Sequence, residues 1–226
     1  MGILDTVYRR LFEARGHQGW WPGETPFEVV VGAVLTQNTA WTNVERAISA
    51  LKAANALDPH AILAMPVEQL ATLIRPAGYY NVKARRLREV VGFICKEAGG
   101  QVEALSGQDP LQLRQRLLAI RGVGRETADS ILLYALGFPF FVVDAYTRRV
   151  FGRLGVIEPE ADYDEIRAVF EGALQRDAAL FNDYHAQIVA HGKHTCRKVP
   201  MCAGCVLADL CIRAGLAAHP PCDGHP

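Results

Sequence analysis

The chain has no surplus of charge of either sign: 24 Lys and Arg balance 24 Asp and Glu, for a formal charge of zero with histidine neutral. The strongly basic balance typical of nucleic-acid binders is therefore missing, and any contact with a polyanion has to be local. A membrane-length apolar run is also missing. The longest, Ile131 to Val143, is too short to span a bilayer and is broken by Gly137 and Pro139. The opening MGILDTVYRR holds no apolar block of signal-peptide length, which makes the cytoplasm the expected location, with no membrane contact. Strand-like alternation is scarce and no repeat of solenoid period is visible. The 20 glycines and 12 prolines among 226 residues are too few for a collagen-like or low-complexity chain.

What is present is a globular core. Half of the residues are hydrophobic and 21% are charged, and the length suits one large domain or two small ones. Apolar residues recur at helical spacing from Ile3 to Phe12, Phe27 to Leu35, Val44 to Leu51, Leu87 to Ile94, Leu111 to Ile120, Thr127 to Leu136, Ala145 to Leu154 and beyond. Asp58-Pro59, Asp109-Pro110 and Glu158-Pro159 punctuate them as helix starts. The pattern predicts an all-α fold of about ten short helices, with a frayed tail over 214–226.

Six cysteines remain, and in a reducing compartment stable disulfides are not expected. Cys95 and Cys222 stand alone, whereas Cys196, Cys202, Cys205 and Cys211 follow one another with gaps of five, two and five residues. Four thiolates in so short a segment imply a metal. The spacing by itself leaves a [4Fe–4S] cluster and a tetrahedral zinc both open.

Two further segments carry chemistry. Ile120-Arg121-Gly122-Val123-Gly124-Arg125-Glu126-Thr127 lies between two helical patterns, and its glycines permit a tight turn and close approach to another molecule. Backbone N–H groups at such a turn can hold a phosphate without lysine or arginine, although an ordinary helix C-cap and αα turn would read the same. Twenty residues after Gly124, the apolar run Phe140 to Val143 ends in Asp144, which opens an amphipathic helix. Alone, Asp144 is an N-cap worth about 1 kcal/mol.

Together, Gly-Val-Gly and then Val-Asp at this distance resemble the endonuclease III, or helix-hairpin-helix, superfamily of DNA glycosylases. The resemblance implies that the hairpin holds the DNA backbone and that Asp144 faces the flipped nucleotide. The cysteine loop after His191-Gly192-Lys193-His194-Thr195 extends it, with one residue fewer in the first gap than the family usually has, and implies a [4Fe–4S] cluster on Cys196, Cys202, Cys205 and Cys211. Leu35-Thr36-Gln37-Asn38-Thr39 resembles the family segment whose glutamine enters the space left by the flipped base. Gly78-Tyr79-Tyr80-Asn81-Val82-Lys83-Ala84 resembles the loop that intrudes from the other side, with Tyr79 where an aliphatic wedge is common. Lys83 then opens a basic run with Arg85, Arg86 and Arg88. On this resemblance Gln37, Tyr79, Lys83, Gly122, Val123, Gly124, Arg125, Thr127, Arg149 and Lys193 are expected at the DNA, and double-stranded damaged DNA is the expected partner of a monomeric, nucleoid-associated enzyme.

Family members that cut the strand carry a lysine two positions after the second hairpin glycine, where its amine forms an imine with the sugar. Here that position is Glu126, which cannot do so, and Asp144 with Glu126 nearby would each oppose ionisation of the other. Trp20-Trp21-Pro22 together with Leu-Thr-Gln-Asn-Thr-Ala-Trp resembles the monofunctional 3-methyladenine branch. Trp20, Trp21 and Trp41 are then the expected walls of a pocket in which electron-rich rings attract a cationic alkylated purine. The retained cysteines depart from that branch. An endonuclease III-type glycosylase and lyase acting on oxidised pyrimidines, and a non-catalytic damage-binding protein, stay open as alternatives. The expected organisation is a helical domain over 22–132 ending in the hairpin, an iron–sulfur domain from 1–21 plus 133–213, and a DNA groove between them.

Overall fold

A computed structural model describes residues 2–212; the expected tail and Cys222 lie outside the described residues. All regular structure among them is helical. In chain order the α-helices are α1 (Ile3–Arg15), α2 (Pro26–Leu35), α3 (Trp41–Ala53), α4 (Pro59–Ala64), α5 (Val67–Leu73), α6 (Tyr80–Ala98), α7 (Pro110–Leu118), α8 (Arg125–Ser130), α9 (Ala145–Leu154), α10 (Tyr163–Ala173) and α11 (Ala178–His194). No helix among the described residues is long and apolar enough to cross a membrane. The all-α expectation stands.

The chain divides into two compact units: a contiguous one, Trp21–Phe140, and a split one that joins Met1–Trp20 to Phe141–Pro226. Local sequence explains most helix starts. Asp58, Asp109 and Asp177 accept the backbone N–H three residues on, from Ala61 at 2.9 Å, Gln112 at 2.8 Å and Leu180 at 2.7 Å. In the first two a proline fills the first helical position, where its missing N–H does no harm.

In the contiguous unit, every residue of α2 from Phe27 to Leu35 is buried. A helix apolar all round but for Glu28, which pairs with Lys52 at 2.9 Å, has to be enclosed, and α2 packs with α3, α6, α8 and the π-helical turn Ile131–Ala135. The two limbs of the 120s turn, α7 and α8, are stapled by a bidentate pair, Arg114 Nε to Asp129 Oδ1 at 2.6 Å and Nη2 to Oδ2 at 3.0 Å, with Asp129 fully buried. The split unit has an aromatic core. Phe141 stacks on Phe170 with centroids 4.1 Å apart, and Phe151, Phe181 and Tyr184 meet these rings edge-on or tilted. The Tyr184 hydroxyl donates to Leu4 O at 2.8 Å and the Tyr8 hydroxyl to Asp183 at 3.0 Å, which fastens α1 to α11.

Candidate active site

In the split unit, Asp144 caps α9. Its Oδ1 accepts the Thr147 N–H at 2.7 Å and the Thr147 hydroxyl at 3.0 Å, while Oδ2 faces His185 Nε2 at 3.6 Å. The Asp144 side chain is 13% exposed and that of His185 5%. Burial works against the carboxylate charge, yet His185 and the two Thr147 donors outweigh it and hold Asp144 below the ordinary carboxylate range. Of the two carboxyls, one of which was expected to rise, Asp144 is not the one that does. The run leading to it is fixed by its own amides: Phe141 N–H donates to Glu171 at 3.0 Å and Val143 N–H to the Tyr163 hydroxyl at 3.3 Å.

His185 was not singled out from sequence. Its signal is a histidine on α11 that shares a face with Phe181 and Ile188, a buried polar group that needs a partner. Trp20 also belongs to this unit, with its ring centroid 6.5 Å from that of His185.

The same helix that Asp144 opens holds the cysteine loop. Arg149, expected at the DNA, instead donates from Nε to Cys196 O at 2.8 Å and from Nη2 to Gly192 O at 2.9 Å, and its guanidinium lies over the Tyr146 ring. About one turn into α9 it reaches the loop, so its charge is used inside the protein. Arg153 donates to Arg197 O at 2.7 Å, Lys198 O at 2.9 Å and Cys196 Sγ at 3.3 Å. Gly192 is required here, since a Cβ would lie 2.5 Å from Tyr146. Lys193 is exposed.

The four loop cysteines suit a cluster. Burial pushes the Cys205 thiol up, and Cys196, Cys202 and Cys211 are close enough to push it further. Four crowded sulfurs become thiolates readily only when cationic iron or zinc binds them. His191 Nε2 lies 3.8 Å from Cys205 Sγ, and Arg15, which donates to Thr195 Oγ1 at 3.0 Å, lines a cavity of about 150 Å³ with His191 and Cys205. Among the described residues, no three His, Cys, Asp or Glu side chains close on a single ion.

In the contiguous unit, the hairpin turns at Gly122, whose φ is +90° and whose Cβ would lie 2.6 Å from Arg86. Val123 N–H closes the turn on Ile120 O at 3.1 Å and its side chain is buried, so this residue serves the turn. Gly124 is extended, and a Cβ there would meet nothing within 4 Å. Arg125 and Glu126 are exposed, whereas Thr127 is buried. Gln37 Nε2 donates to Thr127 Oγ1 at 2.8 Å and to Gly122 O at 3.4 Å.

Tyr79 is 75% exposed and left-handed, with φ at 45°. Lys83, expected on a basic surface, is 2% exposed. The reason is its place on the buried stripe of α6 with Ala84, Leu87, Val90, Val91 and Ile94. Trp21 meets Trp41 edge-on at 4.9 Å and Tyr134 at 4.8 Å, and Gly32 lets the two indoles rest on α2, since its Cβ would come within 3.2 Å of Trp21 and 3.4 Å of Trp41. Tyr134, on the π-helical turn, was missed from sequence because the turn shifts the helical phase.

A hairpin between stapled helices and a capping aspartate twenty residues on are the parts that the motifs implied. Residues 31–176 match the HhH-GPD superfamily, described as base excision DNA repair proteins. This chain belongs to that superfamily. It is similar to a protein of Methanocaldococcus jannaschii provisionally named a DNA repair glycosylase, 53% identical over 93% of this chain and 96% of the relative. Escherichia coli endonuclease III is 31% identical over 83% of each chain. A crystal structure of the H. pylori 3-methyladenine DNA glycosylase bound to 1,N6-ethenoadenine matches with a TM-score of 0.72 and 31% identity, over 84% of this chain and 97% of that one. The HhH-GPD chain is a base excision repair DNA glycosylase, an enzyme acting on glycosyl bonds.

Proposed function

We propose that this HhH-GPD glycosylase hydrolytically releases an alkylated purine such as 3-methyladenine from duplex DNA, acting as a monomer and without cutting the strand. The observation that carries the reading is the set of partly exposed rings Trp21, Trp41 and Tyr134 gathered over Gly32. Electron-rich faces attract a cationic base, whose glycosidic bond is already weakened, so that little acid help is needed. The likeness to the H. pylori 3-methyladenine glycosylase structure supports it, as does Glu126 at the position of the lyase lysine, where a carboxylate cannot form an imine.

Asp144, kept ionised by His185 and Thr147, stabilises the oxocarbenium-like sugar as the base departs and orients the water that attacks C1′. Gly122 and Gly124 supply backbone N–H groups to a phosphate, and the space beyond Gly124 fits close approach by the DNA. Exposed Arg125 and Lys193 add local positive charge. Gln37 and Tyr79 fill the distorted duplex.

Cys196, Cys202, Cys205 and Cys211 would hold a [4Fe–4S] cluster. Bound there, it would cross-link the loop through all four thiolates. The likeness of the cysteine spacing to the endonuclease III loop favours a [4Fe–4S] cluster over a tetrahedral zinc, which four thiolates could also hold.

The test is product analysis on two duplexes, one rich in 3-methyladenine and one with a single thymine glycol. Free methylated purine with an intact strand is the expected result. Cleavage at thymine glycol, or a covalent complex trapped by borohydride, would instead establish the reading that the 31% identity to endonuclease III favours. Asp144→Asn should abolish release and keep DNA binding; equal release by both proteins would remove Asp144 from the mechanism, and binding without release by either would leave a damage-binding role.

A further inference from the structure

Lys83 and Arg86 stand three residues apart on α6, and between them they touch each loop of the contiguous unit to which the proposed function assigns the duplex. Lys83 Nζ donates to Leu35 O at 2.8 Å and to Thr39 Oγ1 at 2.6 Å, which bracket Gln37 in sequence. It also donates to Ala77 O at 2.8 Å, two residues before Tyr79. The Thr39 hydroxyl in turn donates a hydrogen bond to Ala77 O, so the two segments are bonded to each other as well as to the ammonium. Arg86 Nη1 donates to Gln37 Oε1. The other end of that amide reaches Thr127 and Gly122 O, and the Arg86 side chain lies against Gly122 so closely that a Cβ there would be 2.6 Å away.

Three loops are thus tied to two cations on one helix. A carbonyl at the end of α2 and another at the end of the 3₁₀ turn Arg75–Ala77 lack helical partners, and a buried ammonium with three protons satisfies both. This accounts for a lysine at 2% exposure on an otherwise apolar stripe. It also gives Tyr79 a rigid base. Its ring is exposed and its backbone is held at φ 45°, a conformation that a bulky residue keeps only when its surroundings enforce it.

We infer that Lys83 and Arg86 are positioning residues that hold the Gln37 loop, the Tyr79 turn and the 121–124 hairpin in one fixed register, so that both wedges enter the duplex together. Driving side chains into a base stack costs a few kcal/mol, and wedges on yielding loops would move back instead of parting the bases. The inference rests on the assignment of Gln37 and Tyr79 to the duplex.

The test uses full-length Lys83→Met and Arg86→Gln on a duplex with 2-aminopurine beside a stable abasic analogue, whose fluorescence rises on unstacking. Wild type should give the rise. Both variants should bind the duplex yet lose most of it. On a paired lesion their kcat should fall by about 100-fold, the scale of a 1 Å misplacement, with KM little changed. Activity should recover when the lesion is left unpaired, because extrusion is then easy; a merely structural defect would lower activity equally on both substrates and overturn the inference. If Lys83→Met does not fold, Arg86→Gln carries the comparison. A wild-type rise retained in full by both variants refutes the register role alone. Absence of the rise in wild type refutes the assignment of Gln37 and Tyr79, and the inference with it.

Discussion

At the scale of single residues, the proposed chemistry turns on the ionisation of Asp144. A carboxylate that must stabilise positive charge on the sugar has to be charged before the base leaves, and burial alone would favour the neutral acid. His185 and Thr147 reverse that preference. The folded state therefore binds the Asp144 proton less readily than the unfolded chain does. The charged form, and the stability it brings, are present above the ordinary carboxylate range and are lost only as pH falls through the lowered value. We expect the acid limb of the kcat profile to lie below that range. His185→Asn removes the facing imidazole and leaves the burial, so the limb should move to higher pH and activity near pH 5 should drop first. A limb that does not move would show that His185 has no hold on Asp144.

At the scale of elements, α9 does two jobs. Its first residue is capped by Asp144, and its later turns reach the cysteine loop through Arg149 and Arg153. Hydrogen bonds from a charged donor are worth about 1.5–3 kcal/mol each, and Arg153 makes three contacts to the loop. With the proposed [4Fe–4S] cluster in the loop, Arg153→Ala is therefore expected to lower the iron bound per chain and speed its loss to a chelator, with helical circular dichroism unchanged; unchanged iron retention would show that the loop needs no brace. What the sequence showed at this scale was local. Asp58-Pro59, Asp109-Pro110 and Asp144 announce helix starts because a cap involves residues three apart, and the Gly-Val-Gly turn announces itself through glycine geometry. What it concealed depended on where long side chains end. Lys83 and Arg149 look like surface cations in a one-dimensional reading, yet each is turned inward to carbonyls brought near by folding. Part of this was legible: Lys83 falls in helical register with Leu87, Val90 and Ile94, which is a buried face. Tyr134 was not, because the π-helical turn breaks that register.

At the scale of the whole molecule, a chain of zero net charge has little global repulsion near neutrality, so its pH dependence comes from particular buried groups. Lys83 is the clearest in the basic range. Burial, with the Arg86 charge adding to it, pulls its pKa from 10.5 down to about 8. Below pH 8 the lysine is protonated in both folded and unfolded chains. Between about 8 and 10.5 the folded chain gives up its proton first, the unfolded chain binds more, and stability must rise with pH by linkage. The full shift corresponds to about 3 kcal/mol. Wild type should therefore gain stability relative to Lys83→Met across that window, read from urea midpoints at a series of pH values, with the variant cancelling the titration of tyrosines and thiols. The neutral amine keeps two protons for three acceptors, so the tie between the Gln37 and Tyr79 segments loosens while the fold strengthens. Unstacking of the duplex should then decline above pH 8 although the protein becomes harder to unfold. Stability and unstacking that both stay flat across the window would mean that the ammonium stays charged in its carbonyl cage and that its hydrogen bonds outweigh its burial.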